Sequence, residues 1–209
     1  ITAEANGTED SRYTFVSWSS TGKGVIRTTG GEPIAVVTVG SPIVQIATWK
    51  IEYLLSLSSD VGTFDLEPEG WYLPGTDVTI TAYPPSSVDG QRFLPLWQSS
   101  SDGGITDGPN EDTSHTFTVT MNNGIAQNVN WLSQYRITIS AMDEDAVLSP
   151  EAGSYWYFAG TDIMGSCRYA TKSRICTGFA GTGSFASSDK PFYHGEIEAP
   201  STVYWQFRD

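Results

Sequence analysis

The chain has 209 residues and a formal net charge of −13, with 11 Lys and Arg against 24 Asp and Glu. This charge would repel a phosphate backbone, so we expect no nucleic-acid partner. No apolar run approaches the length of about 18 residues that crosses a bilayer, so we expect no membrane insertion in this segment. Aromatic residues reach 12% and charged residues only 17%, which is more typical of an extracellular β-protein than of a cytosolic enzyme.

The first 49 residues predict an incomplete set of strands. "RYTFVSW", which begins at Arg12, predicts one strand, and "AVVTV" with "QIATW" predicts a further pair that ends at Trp49. The Gly-Thr-Asp strand found later in the chain has no counterpart here. We therefore interpret residues 1–49 as the back half of a repeating unit that does not fold alone. Because open sheet edges recruit partners, this half packs on the next unit or accepts an extended segment of another chain.

The remainder of the chain repeats the same phrases in the same order. "RFLPLW" and "RICTGF" begin at Arg92 and Arg174 and match "RYTFVSW", and the closing tryptophans Trp49, Trp131 and Trp205 lie 82 and 74 residues apart. A third phrase, with Pro-Glu, glycine, aromatics and Gly-Thr-Asp, occurs at 66–82 and at 148–167. This recurrence predicts two complete units, 50–132 and 133–209, after the partial one.

Each unit is predicted to be all-β. Asp77–Tyr83 and Tyr135–Ser140 alternate with period two and are rich in β-branched residues, and turn signals such as Asp89-Gly90 separate the strands. For the last unit, strands are expected near 135–141, 154–159, 161–168, 173–179, 191–198 and 202–207. A strand with one apolar face needs a second layer to cover it. The fold class is therefore tandem small antiparallel β-domains.

The aromatic residues divide into two sets. Trp18, Trp97, Trp131 and Trp205 close predicted strands and are expected to pack in the cores, because each buries a large apolar area. A second set lies beside Pro/Gly turns, where exposed rings could form a platform for a carbohydrate. Its members are Trp71, Tyr72, Tyr155, Trp156 and Tyr157.

Two cysteines, Cys167 and Cys176, lie nine residues apart. A zinc site needs about four ligands and neither histidine is near in sequence, so a metal is disfavoured. The repeat register aligns Cys167 with Ala82 and Cys176 with Leu94, on two strands that flank one predicted hairpin. We expect a local disulfide formed in an oxidising compartment, with two buried thiols as the alternative.

The sequence contains one candidate metal-binding loop and no recognisable catalytic motif. The stretch "SDGGITDGPNED" brings oxygen ligands for a calcium ion into a glycine-rich loop without an EF-hand register. His115 and His194 lie in alternating strands, and no Gly-x-Ser-x-Gly elbow is present. We therefore expect no enzyme, no cofactor other than calcium, and rank a hydrolase last. The loop's candidate ligands are Asp102, Asp107, Asn110 and Asp112.

The phrases "PGTDVTITA", "AGTDIMGS" and "RICTGFAGTGSF" followed by "STVYWQF" resemble bacterial repeat domains of the divergent internalin-B B-repeat class, which occur in tandem in large exported surface proteins. Two positions depart from that pattern: Phe179 replaces the usual tryptophan, and Cys176 stands where Phe15 and Leu94 stand. The resemblance implies an extracellular or cell-surface stalk, spacer or adhesive module without catalytic activity.

The partners that this resemblance implies are other domains of the same exported protein, with a polysaccharide or another cell-surface protein as further candidates. Two other functions remain open at this point. One is a carbohydrate-binding module that uses the second aromatic set. The other is a subunit of a strand-exchanged extracellular polymer, which the incomplete first half would permit.

Overall fold

The computed structural model describes residues 2–22, 24–28, 32–99, 114–143, 146–168 and 174–208. These residues form strands and no helix, which confirms the all-β class. The described strands are β1 (Ser11–Thr21), β2 (Gly24–Thr28), β3 (Ala35–Val39), β4 (Val44–Ser59), β5 (Thr63–Phe64), β6 (Glu69–Tyr72), β7 (Thr76–Tyr83), β8 (Gln91–Ser99), β9 (His115–Met121), β10 (Ile125–Ala141), β11 (Val147–Ser149), β12 (Gly153–Phe158), β13 (Thr161–Arg168), β14 (Ile175–Thr182), β15 (Phe192–Ile197) and β16 (Ser201–Arg208).

The main sheet has eight strands in the order β1-β4-β10-β16-β14, with β6 paired to β4 and with β8 and β12 paired to β10. Its two longest strands, β4 and β10, have 16 and 17 residues and change partners along their length. The first half of β4 pairs antiparallel with β1, and its second half pairs parallel with β10. In the same way β10 pairs first with β8, antiparallel, and then with β16, parallel.

Two three-stranded sheets, β5-β7-β9 and β11-β13-β15, pack on the main sheet, and β2 pairs with β3 in a separate ribbon. One core combines Leu55 of β4 with Ile80 of β7 and Met121 of β9. Another combines Ile137 of β10 with Ile197 of β15 and Trp205 of β16. A third, smaller core combines Trp131 of β10 with Phe93 of β8. Alternation along these strands directs every second side chain into the space between two layers, which is why the sequence forms these cores.

The pattern of pairings around β4 and β10 thus occurs again around β10 and β16. The sequence boundaries at 49/50 and 132/133 fall inside β4 and β10, so each strand runs from one predicted unit into the next without a linker. The stretch "WKIEYLLSL" is a strand, as predicted. The division into units itself stays an interpretation of the sequence.

Both predicted strands, "AVVTV" and "QIATW", are present, but they do not pair with each other. "AVVTV" is β3 and pairs with β2, whereas "QIATW" belongs to β4 and pairs with β1. The two segments occupy different layers because a short turn carries the chain across from one sheet to the other. The predicted strands of the last unit match β10 and β12–β16 within a few residues, and the short β11 was not predicted.

The predicted core tryptophans divide into two groups. Trp131 and Trp205 are buried, with 5% and 1% of their surface exposed. Trp18 and Trp97 are half-buried. Trp97 packs against the core that contains Trp131, as expected, whereas Trp18 belongs to none of the cores of the described residues, which corrects the expectation for that residue. Trp97 lies two residues before the end of β8, where its ring contacts Phe117 at 4.5 Å between centroids.

Candidate functional site: two arginine joints

The first joint connects β1, β4 and β6 on the main sheet. Arg12 and Glu52 are direct cross-strand partners, and the Nε of Arg12 donates to Oε2 of Glu52 at 2.7 Å. The guanidinium carbon of Arg12 lies 4.6 Å from the ring centroid of Trp71 on β6. A guanidinium at this distance over a tryptophan face makes a favourable cation–π contact. Arg12 therefore joins the "RYTFVSW" strand to the aromatic strand of the following predicted unit.

Glu52 is the centre of this joint. It is buried, with 7% of its surface exposed. Its Oε1 accepts from Nζ of Lys50 at 2.9 Å, and its Oε2 accepts from the hydroxyl of Thr14 at 3.1 Å as well as from Arg12. The hydrogen bonds from Lys50 and then Arg12 lower the pKa of Glu52 from 4.5 to about 2, although desolvation opposes the shift. The carboxylate is charged throughout the physiological range.

The second joint has the same construction at a later point in the chain. Arg92 and Gln134 are cross-strand partners, and the Nε of Arg92 donates to Oε1 of Gln134 at 2.7 Å. The guanidinium carbon of Arg92 lies 4.4 Å from the ring centroid of Trp156. Arg136 lies 5.9 Å from the same ring and also pairs with Asp89 at 3.1 Å. Here a neutral amide replaces the carboxylate of the first joint.

The two joints lie on the face of the main sheet opposite the cores. Trp71 precedes Tyr72, and Trp156 lies between Tyr155 and Tyr157; the three tyrosines pack against the cores. Since neighbouring residues of a strand point to opposite faces, both tryptophans point away from the cores. The phrase's third arginine, Arg174, forms an ion pair with Asp143 at 3.2 Å.

The structure does not confirm an exposed aromatic platform. All five predicted rings are half-buried rather than exposed. The two tryptophans carry arginine side chains over their rings, and Tyr155 donates its hydroxyl to the carbonyl oxygen of Glu151 at 2.9 Å. These residues lie beside turns, as the sequence predicts, whereas the arginines that cover them were not predicted. The recurring Arg at the start of each phrase, and the Glu or Gln three residues after the closing Trp, were the available signal.

Cys167 and Cys176 are neighbours but are not bonded. The expected geometry is wrong in one respect: β13 and β14 do not pair, because Cys167 belongs to the small sheet and Cys176 to the main sheet. The thiols therefore meet across the two layers. Burial and a hydrogen bond with Cys176 raise the pKa of Cys167 to about 12. A surface cavity of about 350 Å³ opens beside them, lined also by Arg168 and Pro191.

The candidate calcium loop, 102–112, lies outside the described residues. Within the described ranges, no group of three His, Cys, Asp or Glu side chains could hold a metal ion. The two histidines lie in strands, as predicted. His115 contacts the ring of Trp97 at 5.6 Å, and Nε2 of His194 lies 3.0 Å from Oδ2 of Asp162 on the exposed surface of β13 and β15.

Comparisons with protein-family models, with curated proteins and with solved structures find no match for this chain. Of the described segments, none forms a helix that is long and apolar enough to cross a membrane. Any assignment of function therefore depends on the geometry of the chain itself, above all on the two arginine joints and the continuous strands that they flank.

Proposed function

We propose that this chain is a non-catalytic structural module, a spacer or stalk segment of an exported or cell-surface protein. The observation that carries the proposal is the joint, which occurs twice with the same construction. At each one, a strand passes unbroken from one predicted unit into the next, and an arginine bridges to an aromatic strand beyond the boundary. Repeated modules with stiff connections suit a protein that must extend over a distance.

The contacts at the joints oppose bending in two ways. An unbroken strand such as β4 or β10 has no flexible linker at the boundary. A cation–π contact contributes about 0.5–2 kcal/mol, depending on how far it is removed from water, and a hydrogen bond to a charged group adds about 1.5–3 kcal/mol. Both contacts would have to break for two neighbouring units to rotate apart.

The resemblance to exported repeat domains supports an extracellular location, with other domains of the same protein as partners. The acidic surface is consistent with solubility outside the cell. In an oxidising compartment the neighbouring thiols of Cys167 and Cys176 would form the predicted disulfide and link the two layers of the last unit. We propose no catalytic role and no cofactor.

Distance measurements across the second joint test the spacer function. After replacement of both cysteines by serine, spin labels would be placed at Thr79→Cys on β7 and Met164→Cys on β13, both exposed positions. The proposal predicts a narrow distance distribution that broadens in Arg92→Ala. Arg208→Ala, which removes an exposed arginine outside the joints, is the matched control and should leave the distribution narrow.

A broad distribution in the parent protein would refute a stiff spacer. So would an Arg92→Ala distribution as narrow as that of the parent. A glycan array tests the carbohydrate-binding alternative: binding that is lost in Trp156→Ala but retained in Arg208→Ala would replace the spacer proposal. Fractionation of the source cells, with detection of this segment by antibody, tests the location.

A further inference from the structure

The first half of β4 has an open edge in the main sheet. Among the described strands, only β1 pairs with residues 44–49. The corresponding stretches of the other two closing strands have a neighbour on each side. Residues 127–129 of β10 lie between β8 and β4, and residues 202–205 of β16 lie between β14 and β10. In both cases the second neighbour is parallel.

The stretch with the open edge aligns residue by residue with the stretch formed by β9 and the start of β10. Residues 33–49 and 115–131 align without a gap, with Ile43 and Gln45 matching Ile125 and Gln127, and both stretches end in tryptophan. The strand that fills the slot beside β10 is the second half of β4, in which Leu55 pairs with Ile125. The open slot beside residues 43–47 therefore has a known register.

Two apolar side chains in 33–49, the stretch with the open edge, are more exposed than their counterparts in 115–131, which we call the complete copy. Val39 at the end of β3 is 68% exposed, whereas its counterpart Met121 is 0% exposed. Trp49 is half-buried, whereas Trp131 is 5% exposed. In the complete copy, Met121 is covered by two strands, the second half of β4 and β7. Trp131 packs in a separate core with Ala82 at the end of β7 and Phe93 of β8.

The contacts of Thr2 and Ala3 show where a strand equivalent to β7 would lie beside β3. Thr2 bridges antiparallel to Ile34 beside β3, and the amide of Ala3 donates to the carbonyl oxygen of Pro33 at 3.0 Å. In the complete copy Thr81 of β7 pairs with Thr116, the counterpart of Ile34. The sequence Ile-Thr-Ala also occurs at both places, 1–3 and 80–82. Thr2 and Ala3 thus occupy the positions that Thr81 and Ala82 of β7 occupy in the complete copy, and the positions facing Val39 have no such neighbour among the described residues.

We propose that this open slot binds a polypeptide segment of the type found at 51–79, supplied from outside these 209 residues, and that two strands of this segment pair with the chain. Its first strand would pair parallel with residues 43–47, at the start of β4, with apolar side chains at alternate positions. Its second would pair antiparallel with β3 and cover Val39. The inference rests on the proposed spacer function, since it makes this end of the module a joint to a further unit of the same kind.

A second copy of the chain does not fit this slot. Both strands of the required type, the second halves of β4 and β10, are held by neighbours on each side within the described structure. Donating the second half of β4 would open the core around Leu55, and donating the second half of β10 would open the core around Ile137. The occupant is therefore an unpaired segment, and strand addition is the mode of binding.

Hydrogen–deuterium exchange of the full chain tests the proposal with a synthetic peptide of residues 51–79 as the probe. This peptide ends before the position that Thr2 already occupies. In the free protein, amides in 43–49 should exchange at least tenfold faster than those in 125–131. Saturating peptide should slow exchange in 37–49 and leave 125–131 unchanged. The control peptide carries Leu55→Glu and Val78→Glu, which replace two residues that are buried in the chain, and should give no protection.

Two variants keep the test specific. Ala47→Glu introduces a charge on the half-buried face that the peptide would cover, and should weaken peptide binding at least tenfold. Thr48→Glu places the same charge at the next residue, whose side chain is exposed on the opposite face of the strand. This variant should bind the peptide as tightly as the parent does. If Ala47→Glu does not fold, the exchange rates of the parent protein with the two peptides still decide the question.

Three results would overturn the proposal. The first is equal protection of 43–49 and 125–131 in the free monomer. The second is protection of 43–49 that grows with protein concentration together with dimer formation in sedimentation, which would make a second copy the occupant. The third is no protection by saturating peptide. None of them depends on the label distances across the second joint, so failure of this inference is distinguishable from failure of the spacer function.

Discussion

Replacement of Glu52 by glutamine should destabilise the chain at neutral pH, although the equivalent position, Gln134, already holds a glutamine. Glu52 accepts charge-assisted hydrogen bonds from Arg12 and Lys50 in a buried position. The lowered pKa, about 2 against 4.5, corresponds to at most about 3 kcal/mol of extra stability for the charged form. Because the side chains of Arg12 and Lys50 are 49% and 44% exposed, solvent screening should reduce this to about 1–2 kcal/mol.

The stability difference between the parent and Glu52→Gln should depend on pH in a definite direction. A carboxylate whose pKa is lower in the folded state stabilises the fold above its ordinary pKa, and loses that contribution as the pH falls toward the folded-state value. The difference in unfolding free energy between the parent and Glu52→Gln should therefore be largest above pH 4.5 and shrink between pH 4.5 and about 2. Urea unfolding at a series of pH values measures it.

Glu67→Gln is the matched control, because Glu67 is exposed. It should change the unfolding free energy by less than about 0.5 kcal/mol at pH 7, as is usual for surface substitutions. If Glu52→Gln were as stable as the parent at pH 7, or if its difference from the parent did not vary with pH, the charged centre assigned to the first joint would be wrong.

The remaining predictions concern the cores and the cysteines. Trp131→Ala should cost about 3–5 kcal/mol of unfolding free energy, because it removes a buried ring; Trp71→Ala, at a half-buried outer position, should cost less, and equal losses in urea unfolding would contradict the assigned cores. Mild oxidation should join Cys167 to Cys176 within one chain, seen as the loss of two hydrogens by mass spectrometry. Two thiols that still react with a label after unfolding would refute the bond.

The sequence was most informative where side-chain period and composition determine local structure. Alternation in Asp77–Tyr83 and Tyr135–Ser140 correctly predicted β7 and part of β10, because period two is the signature of a strand with one covered face. It could not tell Trp97 from Trp131. Both are large aromatics at the end of a phrase, and their burial depends on how far the second layer extends.

The candidate site was less accessible to sequence analysis. Arg12 and Trp71 are 59 residues apart in the chain and meet only because β4 lies between β1 and β6. The same limit applied to Cys167 and Cys176, since repeat alignment gave their strands but not the layer in which each strand lies. Contacts across sheets depend on topology, which the alternation of single strands does not contain.

The parallel pairing of β4 with β10, and of β10 with β16, has a mechanical consequence. A tensile load that enters along β4 must cross to β10 through five paired positions, and then to β16 through five more. The two strands of each pair would be pulled in opposite directions along their own axes. Their hydrogen bonds would then bear the load together in shear, rather than opening one after another as in a zipper pulled from its end. A chain built in this way would resist extension more strongly than its thermodynamic stability alone implies.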